Sequence, residues 1–269
     1  MTKFSSLQDF VERHRRLFVL TGAGCSTNSG IPDYRDAAGN WKRQQPVTYQ
    51  AFMADEATRR RYWARSLIGW RSFGDARPNS AHLALARLEA MGGSELVLTQ
   101  NVDRLHQAAG NERVIDLHGR LDLVCCMSCG QKTARDELQD ELTRLNAGWL
   151  DLDAANAPDG DADLEVHDFS TFNVPACRQC EGLLKPDVVF FGESVPRNFI
   201  DVATGHLQQS DGMLIVGSSL MVYSGFRFVQ MAARAGIPIA AVNLGRTRAD
   251  DLLALKVQET CETALGFLL

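Results

Sequence analysis

Four of the seven cysteines stand in two tight pairs, Cys126-Met127-Ser128-Cys129 and Cys177-Arg178-Gln179-Cys180. Each C-x-x-C turn can present two thiolates to one metal, and four sulfurs complete a tetrahedral zinc site with no open position. The expected metal is therefore one structural Zn2+ per chain, held by Cys126, Cys129, Cys177 and Cys180. Cys125 does not fit this spacing, and Cys25 and Cys261 lie far from the cluster. A second chemistry-bearing stretch is L-F-V-L-T-G-A-G-C-S, where the apolar run at 17–20 breaks into Gly22-Ala23-Gly24. A strand that runs into closely spaced glycines can bring backbone N–H groups up to a phosphate, and a following helix N-terminus adds partial positive charge. Thr27 stands where a dinucleotide fingerprint would place its third glycine, so that general motif is incomplete.

Periodicity supplies the elements that must position these residues. A helix is expected at 6–14, helical pattern at 47–74 and a further helix from Ser80 through Leu88, stopped by Gly92-Gly93. Strands are expected at 17–20, 95–99, 114–117, 187–191, 212–216 and 237–242, with helices at 200–208 and 225–235 and a helical tail from Asp250. Strands alternating with helices predict an α/β fold with a doubly wound, parallel, Rossmann-like sheet and right-handed connections. Gly22, Gln100, His118, Gly217 and Asn243 fall just past strand ends, where ligands of such sheets sit. Residues 1–40, 75–120 and 186–269 are assigned to the sheet domain, 41–74 to a helical part of a small domain, and 121–185 to a zinc module. Residues 36–46 read as a mobile loop. The acidic stretch at about 151–168 reads as an exposed insertion; the spacing of Asp159, Asp161 and Asp163 resembles a calcium loop, but Leu164 and Ser170 occupy the positions that need Gly and Glu.

The chain has 269 residues, 45% apolar and 23% charged, with net charge -5. That balance opposes nucleic-acid binding through bulk positive charge. No apolar run reaches the roughly 20 residues that span a bilayer. The first strand begins too early for a cleavable signal peptide to precede it, and an odd number of clustered cysteines points away from a disulfide framework. A cytoplasmic monomer without nucleic-acid or membrane partners is the expectation.

The set G-A-G-C-S-T-N-S-G-I-P-D-Y-R, T-Q-N-V-D-R-L-H, D-L-H-G, the two C-x-x-C knuckles, K-P-D-V-V-F-F-G-E and G-S-S-L resembles the sirtuins, NAD-dependent protein-lysine deacylases. The motifs run in order from about Leu17 to the tail. The wording of V-V-F-F-G-E and V-Y-S-G-F-R-F looks most like the class II branch.

The resemblance implies NAD as cofactor and acyl-lysine proteins or peptides as substrates. Gly22, Ala23, Gly24 and Ser26 would line the pyrophosphate, and Asp33, Tyr34 and Arg35 would begin a loop closing over the cofactor. Gln100, Asn101 and Asp103 would hold the nicotinamide ribose, with Asn101 also counted as catalytic. Gly217, Ser218, Ser219, Asn243, Leu244 and Gly245 would bind the adenosine side, and Cys261 would lie near the adenine. His118 would be the general base, taking a proton from a ribose hydroxyl after the acyl oxygen has displaced nicotinamide. Val189, Phe190, Phe191 and Gly192, with Val222 and Tyr223, would clamp the substrate peptide as an added strand. Tyr62 and Arg65 share one helix face at i and i+3, and their placement resembles a Tyr-x-x-Arg pair that binds acidic acyl groups. Deacylation giving nicotinamide and O-acyl-ADP-ribose is the expected reaction, favouring acidic or longer acyl groups over acetyl. The competing readings are mono-ADP-ribosyl transfer to protein, and a NAD-binding zinc scaffold with little catalysis.

Overall fold

In the computed structural model, which describes residues 5–36, 38–42, 45–152, 160–162, 164 and 168–269, Ser6 caps α1 (Leu7–Arg13) by accepting the Asp9 N–H at 3.1 Å. β1 (Leu17–Thr21) follows and is buried at every position, as a strand covered on both faces must be. Next come α2 (Tyr49–Ala54), α3 (Glu56–Gly74), α4 (Ser80–Ala90), β2 (Ser94–Thr99), α5 (Leu105–Ala108) and β3 (Val114–Asp116). Then follow β4 (Gly119–Cys126), β5 (Lys132–Ala134), α6 (Arg135–Leu145), β6 (Leu184–Val188) and α7 (Arg197–Gln209). β7 (Gly212–Val216), α8 (Tyr223–Arg234), β8 (Ile239–Val242), β9 (Leu255–Val257) and α9 (Cys261–Leu265) complete the chain. Among the described residues no helix is long and apolar enough to cross a membrane.

The chain divides into two compact units, Met1–Gln44 with Arg77–Leu117 and Val195–Leu269, and Gln45–Ala76 with His118–Ser194. The first holds a sheet of order β3-β2-β1-β7-β8-β9, with every pairing parallel. Alternate residues of each strand feed opposite cores. Leu17, Val19, Leu214 and Val216 pack with α1, α4 and α9, whereas Phe18, Leu20, Met213 and Ile215 pack with α7 and α8. This is the doubly wound sheet that the alternation of strands and helices predicts. The chain leaves β1 toward β2 and β3 on one side, and later fills β7, β8 and β9 on the other. The strand order therefore reverses between β1 and β7, the point where an open α/β sheet leaves a crevice at its carboxyl edge.

The second unit is built on an antiparallel sheet of order β5-β4-β6. Its core gathers Phe52, Tyr62, Trp63, Leu67, Val124, Leu138, Leu142 and Phe172 from α2, α3, β4, α6 and a loop. Several sequence expectations change here. The helical pattern at 47–74 is two helices, because Asp55 adopts an extended backbone and accepts the Thr58 N–H at 2.7 Å, starting α3. The apolar run at 187–191 is strand only to Val188 and pairs with β4, so 186–194 belongs to this unit and not to the parallel sheet. His118–Arg120 moves with it, since β4 starts at Gly119. The zinc module also contains α6, whose apolar residues Leu138 and Leu142 are one turn apart. In the first unit, the tail expected to be helical contributes the edge strand β9 before α9. Of the acidic stretch, residues 153–159, 163 and 165–167 lie outside the described residues, Asp159 and Asp163 among them, as do Ala37, Arg43 and Gln44 of the loop at 36–46. Where the stretch is described it is not an exposed insertion throughout: Asp161, Ala162 and Leu164 are buried. A Cβ on Gly69 of α3 would lie 2.4 Å from the Asp161 carbonyl carbon, so glycine permits this close approach at a helix-interior cost of about 1 kcal/mol.

Candidate active site and metal centre

The two cysteine knuckles converge within the second unit. Cys126 Sγ is 3.5 Å from Cys180 Sγ and Cys129 Sγ is 3.8 Å from Cys177 Sγ. All four sulfurs lie within 4.8 Å of one another. Tetrahedral thiolates at about 2.3 Å from zinc stand roughly 3.8 Å apart, so the donor set fits the ion in number, type and spacing. Each knuckle closes through a residue in the left-handed region directly after its second cysteine, Gly130 (φ 73°) and Glu181 (φ 58°). The returning N–H groups close the turns, Gly130 N to Cys126 O at 2.9 Å and Glu181 N to Cys177 O at 2.8 Å. The Cys126 thiol is pulled down to about 6, first by the backbone N–H of Cys129, whereas Cys180 beside it, despite the Gly182 N–H, is pushed up to about 12 by the neighbouring thiols. Cys125 stays apart, with its Sγ near Cys126 O (3.6 Å) and Gly130 O (3.9 Å).

In the first unit, the ends of β1, β2 and β7 meet at the reversal of strand order. Asn101 Nδ2 donates to Gly22 O (3.1 Å) and Ser26 Oγ (3.0 Å), while Ser26 Oγ donates to Asp103 Oδ2 at 2.6 Å. Gln100 Nε2 donates to Ser218 Oγ at 2.7 Å and to Thr21 O at 3.2 Å. Burial pushes the Asp103 carboxyl up, opposed by the Ser26 hydroxyl and the Leu105 N–H. The loops also press together through their backbones. A Cβ on Gly24 would sit 3.0 Å from Gly217 Cα, and one on Gly217 (φ +63°) only 2.3 Å from Cys25 N. The glycine turn itself differs from expectation. It continues into short 3-10 turns at Ala23–Cys25 and Thr27–Ser29 instead of an α-helix. Its N–H groups are also engaged internally: Gly22 to Val216 O, Gly24 to Gly217 O, Cys25 to Gly22 O and Ser26 to Ala23 O. The glycines here serve close packing of β1 against β7 more than amide exposure.

The other residues assigned to this region have distinct settings. Cys261 is buried with Sγ 3.6 Å from Gly24 O, beside the turn, and the neighbouring Cys261 thiol and burial both raise Cys25 well above its ordinary value. Asn243 follows β8 and its Nδ2 donates to Gly245 O at 3.0 Å; Leu244 is exposed. Asp33 pairs with Lys42, and the Arg35 guanidinium lies 3.9 Å from the Trp41 ring centroid while donating to Gly39 O at 2.7 Å. Tyr34 meets Trp41 edge-on. Asp33, Tyr34 and Arg35 thus stabilise their own loop in this conformation.

Sequence reasoning passed over the layer beneath. Thr21 Oγ1 donates to Thr99 Oγ1 (2.8 Å) and lies 2.9 Å from His106 Nε2, joining β1, β2 and α5. Asn79 caps α4 and its Nδ2 donates to Cys25 O at 2.9 Å, while His82 Nε2 lies 3.4 Å from Ser26 Oγ. The N-x-x-H spacing before an apolar run was the available signal, since Asn79 and His82 form a reciprocal cap. Burial pushes His82 down to about 4, and burial together with the His82 charge pushes His106 down to about 3. Both imidazoles are held neutral in the fold, while in the unfolded chain they take up protons near pH 6.5. Their contribution is therefore complete above about pH 6.5 and declines as pH falls toward 4, by up to about 1.4 kcal/mol per pH unit for each group. Urea unfolding at pH 8 to 4.5 should show a shallower acid loss in His106→Asn than in the parent chain; identical slopes would remove this assignment.

In the second unit, His118 is half-buried, and its carbonyl accepts the Val189 N–H at 2.8 Å. The loop that follows β6 is held by a buried cation that sequence reasoning did not single out. Lys185 Nζ donates to Pro186 O (3.3 Å), Val188 O and Glu193 Oε2 (3.1 Å), and Glu193 Oε2 also accepts the Phe190 N–H at 2.9 Å. Gly192 (φ 80°) carries the turn and receives Gln50 Nε2 on its carbonyl at 2.9 Å. Phe191 bridges to Thr48, so its carbonyl accepts the Tyr49 N–H at 2.8 Å. Tyr62 packs in the core against Phe52, Trp63 and Phe190. Arg65 is ion-paired: its Nε lies 3.1 and 3.0 Å from the two Asp161 carboxylate oxygens and 2.9 Å from Ala162 O. Val222 and Tyr223 open α8 in the first unit, Tyr223 exposed.

The Sir2 family profile matches residues 22–224, three quarters of the chain and all of the strand-end motifs up to α8. The chain is a member of the Sir2 family. This sirtuin is 75% identical over 264 residues to the NAD-dependent protein deacetylase 2 of Bradyrhizobium diazoefficiens, covering 98% of this chain and 97% of that protein. It is 69% identical over 263 residues to an NAD-dependent protein deacetylase of Xanthomonas campestris pv. campestris, covering 98% and 90%. Among solved structures, a Sir2 protein with a p53 peptide and NAD superposes with TM-score 0.76 at 30% identity, over 99% of this sirtuin and 97% of that chain. A Sir2 protein bound to acetylated peptide gives TM-score 0.74 at 31% identity, over 97% and 93%.

Proposed function

We propose that this sirtuin removes acetyl groups from protein lysine side chains with consumption of NAD, releasing nicotinamide and O-acetyl-ADP-ribose. The observation that carries the reading is the junction of Ser26, Gln100, Asn101, Asp103 and Ser218 at the reversal of strand order. A dinucleotide crevice is expected there, and a scaffold has no use for so many convergent polar groups. The relatives' activity supports the same conclusion. Bound NAD supplies an electrophilic ribose carbon. Gln100, Asn101 and Asp103 would hold and orient its ribose, Gly22, Ala23, Gly24 and Ser26 would line the pyrophosphate, and Gly217, Ser218, Ser219 and Asn243 would line the adenosine. His118 would accept a proton from a ribose hydroxyl, the general-base role to which an imidazole nitrogen is suited. Val189–Gly192 offers backbone groups to the peptide, and Val222 and Tyr223 contact it.

The ion pair of Arg65 with Asp161 favours a neutral acyl group. A succinyl or glutaryl carboxylate would have to displace a carboxylate already in place, both side chains being largely buried. Mass spectrometry of products from NAD with peptides bearing acetyl, succinyl, glutaryl and longer branched acyl groups tests this. The expected result is acetyl turnover well above that of the acidic groups, with O-acetyl-ADP-ribose as co-product. Faster removal of an acidic acyl group, lost in Arg65→Met, would restore the carboxylate clamp in its stead. Label passing from NAD to a protein without free O-acetyl-ADP-ribose would replace deacetylation by ADP-ribosyl transfer.

A further inference from the structure

At the start of α8 two guanidinium groups gather on one exposed tyrosine. Arg227 lies 5.2 Å and Arg248 6.0 Å from the Tyr223 ring centroid, and Arg248 is also 4.4 Å from that of Phe226. Tyr223 is 53% exposed, so this stack is a surface feature and not a part of the core. Neither arginine has a carboxylate partner among the described residues, in a chain whose net charge is -5 and whose other arginines include many ion pairs. Arg227 Nε is buried and has no hydrogen-bond partner. Arg248 is placed by its backbone, whose N–H donates to Ser219 O at 2.9 Å, and its Nη1 reaches Met221 O at 3.5 Å. No side chain caps the first turn of α8, so the positive end of the helix adds to the same local field.

A guanidinium stacked on an aromatic face keeps its edge N–H donors fixed and free, the arrangement that suits a carboxylate. We infer that Arg227 and Arg248, gathered about Tyr223, form a subsite for the acidic side chain of a residue flanking the acetyl-lysine in a substrate peptide. This deepens the deacetylase reading and rests on its assignment of Tyr223 to the peptide. The aromatic surface between the two charges suits a side chain with methylenes before its carboxylate, such as glutamate.

Acetyl-lysine peptides with glutamate placed in turn at each flanking position, each beside its glutamine counterpart, test the subsite on the full chain. At one position the parent sirtuin should favour glutamate by about five- to tenfold in kcat/KM, chiefly through KM, with the preference shrinking as salt is raised. In Arg227→Gln and Arg248→Gln the ratio should fall toward one, while Arg227→Lys and Arg248→Lys should keep part of it; thermal melting identifies any variant that fails to fold. No preference at any position, or one that survives both glutamine variants, overturns the subsite. A raised KM for NAD in the variants with the peptide ratio unchanged also overturns it, and assigns the pair to a nucleotide phosphate. Anisotropy of the same labelled peptides reads the subsite without turnover. A chain that binds the glutamate peptide selectively but deacetylates nothing keeps the subsite and sinks only the deacetylase reading.

Discussion

Replacing His118 with alanine should lower deacetylation by about 10²–10⁴-fold, the usual contribution of a general base, while NAD binding and the melting temperature stay close to those of the parent chain. The backbone around the residue explains why the fold should tolerate the change. Leu117 is fully buried and its N–H donates to Thr99 O at 2.8 Å, the His118 carbonyl is taken by Val189 N, and Gly119 (φ +79°) lies where a Cβ would meet Asp187 O at 2.1 Å. The chain path is fixed by these main-chain constraints, which an alanine retains. In the proposed reaction the imidazole is the proton acceptor, a role for which no methyl group substitutes. Steady-state kinetics on an acetyl-lysine peptide, with NAD affinity measured by titration, separate the two. Near wild-type turnover in His118→Ala would refute the role, and a fall in NAD affinity large enough to account for the rate loss would reassign the residue to cofactor binding.

Withdrawal of zinc should loosen the antiparallel sheet of the second unit and abolish deacetylation with it. In isolated fingers structural zinc contributes on the order of 10–16 kcal/mol, as large as the roughly 5–15 kcal/mol net stability of a whole domain. The sulfurs join β4 to the segment before β6, and that segment otherwise depends on few main-chain bonds, among them Cys177 N to Gly182 O at 2.9 Å and Met127 N to Leu183 O at 2.8 Å. The core around Trp63 and Phe172 moderates the loss, so the metal-free unit should retain helix but lose hydrogen-exchange protection along β4 and β6. Metal analysis should give one zinc per chain, none in Cys177→Ala, and exchange mass spectrometry should place the deprotected amides in β4 and β6, at 119–126 and 184–188. Full protection in a metal-free Cys177→Ala chain would show that zinc is dispensable to the unit.

Much of this was legible in the residues. β1, β2, β7 and β8 are short continuous apolar runs, because strands covered on both faces need no polar side, and each ends in a polar or glycine residue that marks the ligand edge. The knuckles were legible because metal ligation imposes a spacing on one short turn, Cys126 to Cys129 and Cys177 to Cys180. Most of the illegible features depended on partners distant in sequence. β9 alternates only weakly and is a strand because β8 offers it an open edge. The run at 187–191 is apolar enough for the parallel sheet, yet the zinc turns bring β4 alongside β6 and pair it there.

Local chemistry alone thus determined the four-cysteine set that fits a zinc ion, the class of sheet and the family to which the chain belongs, since each is written within a turn or a strand. The tertiary structure decided which strand ends meet, through the order β3-β2-β1-β7-β8-β9. It also decided which charges are answered. Arg65 found Asp161 at a separation of 96 residues, whereas Arg227 and Arg248 lie against aromatic rings with no carboxylate partner among the described residues. The reason is physical: a covalent spacing fixes a ligand set, but an ion pair or a strand neighbour is selected by the packing of segments whose separation along the chain carries no record of their distance in space.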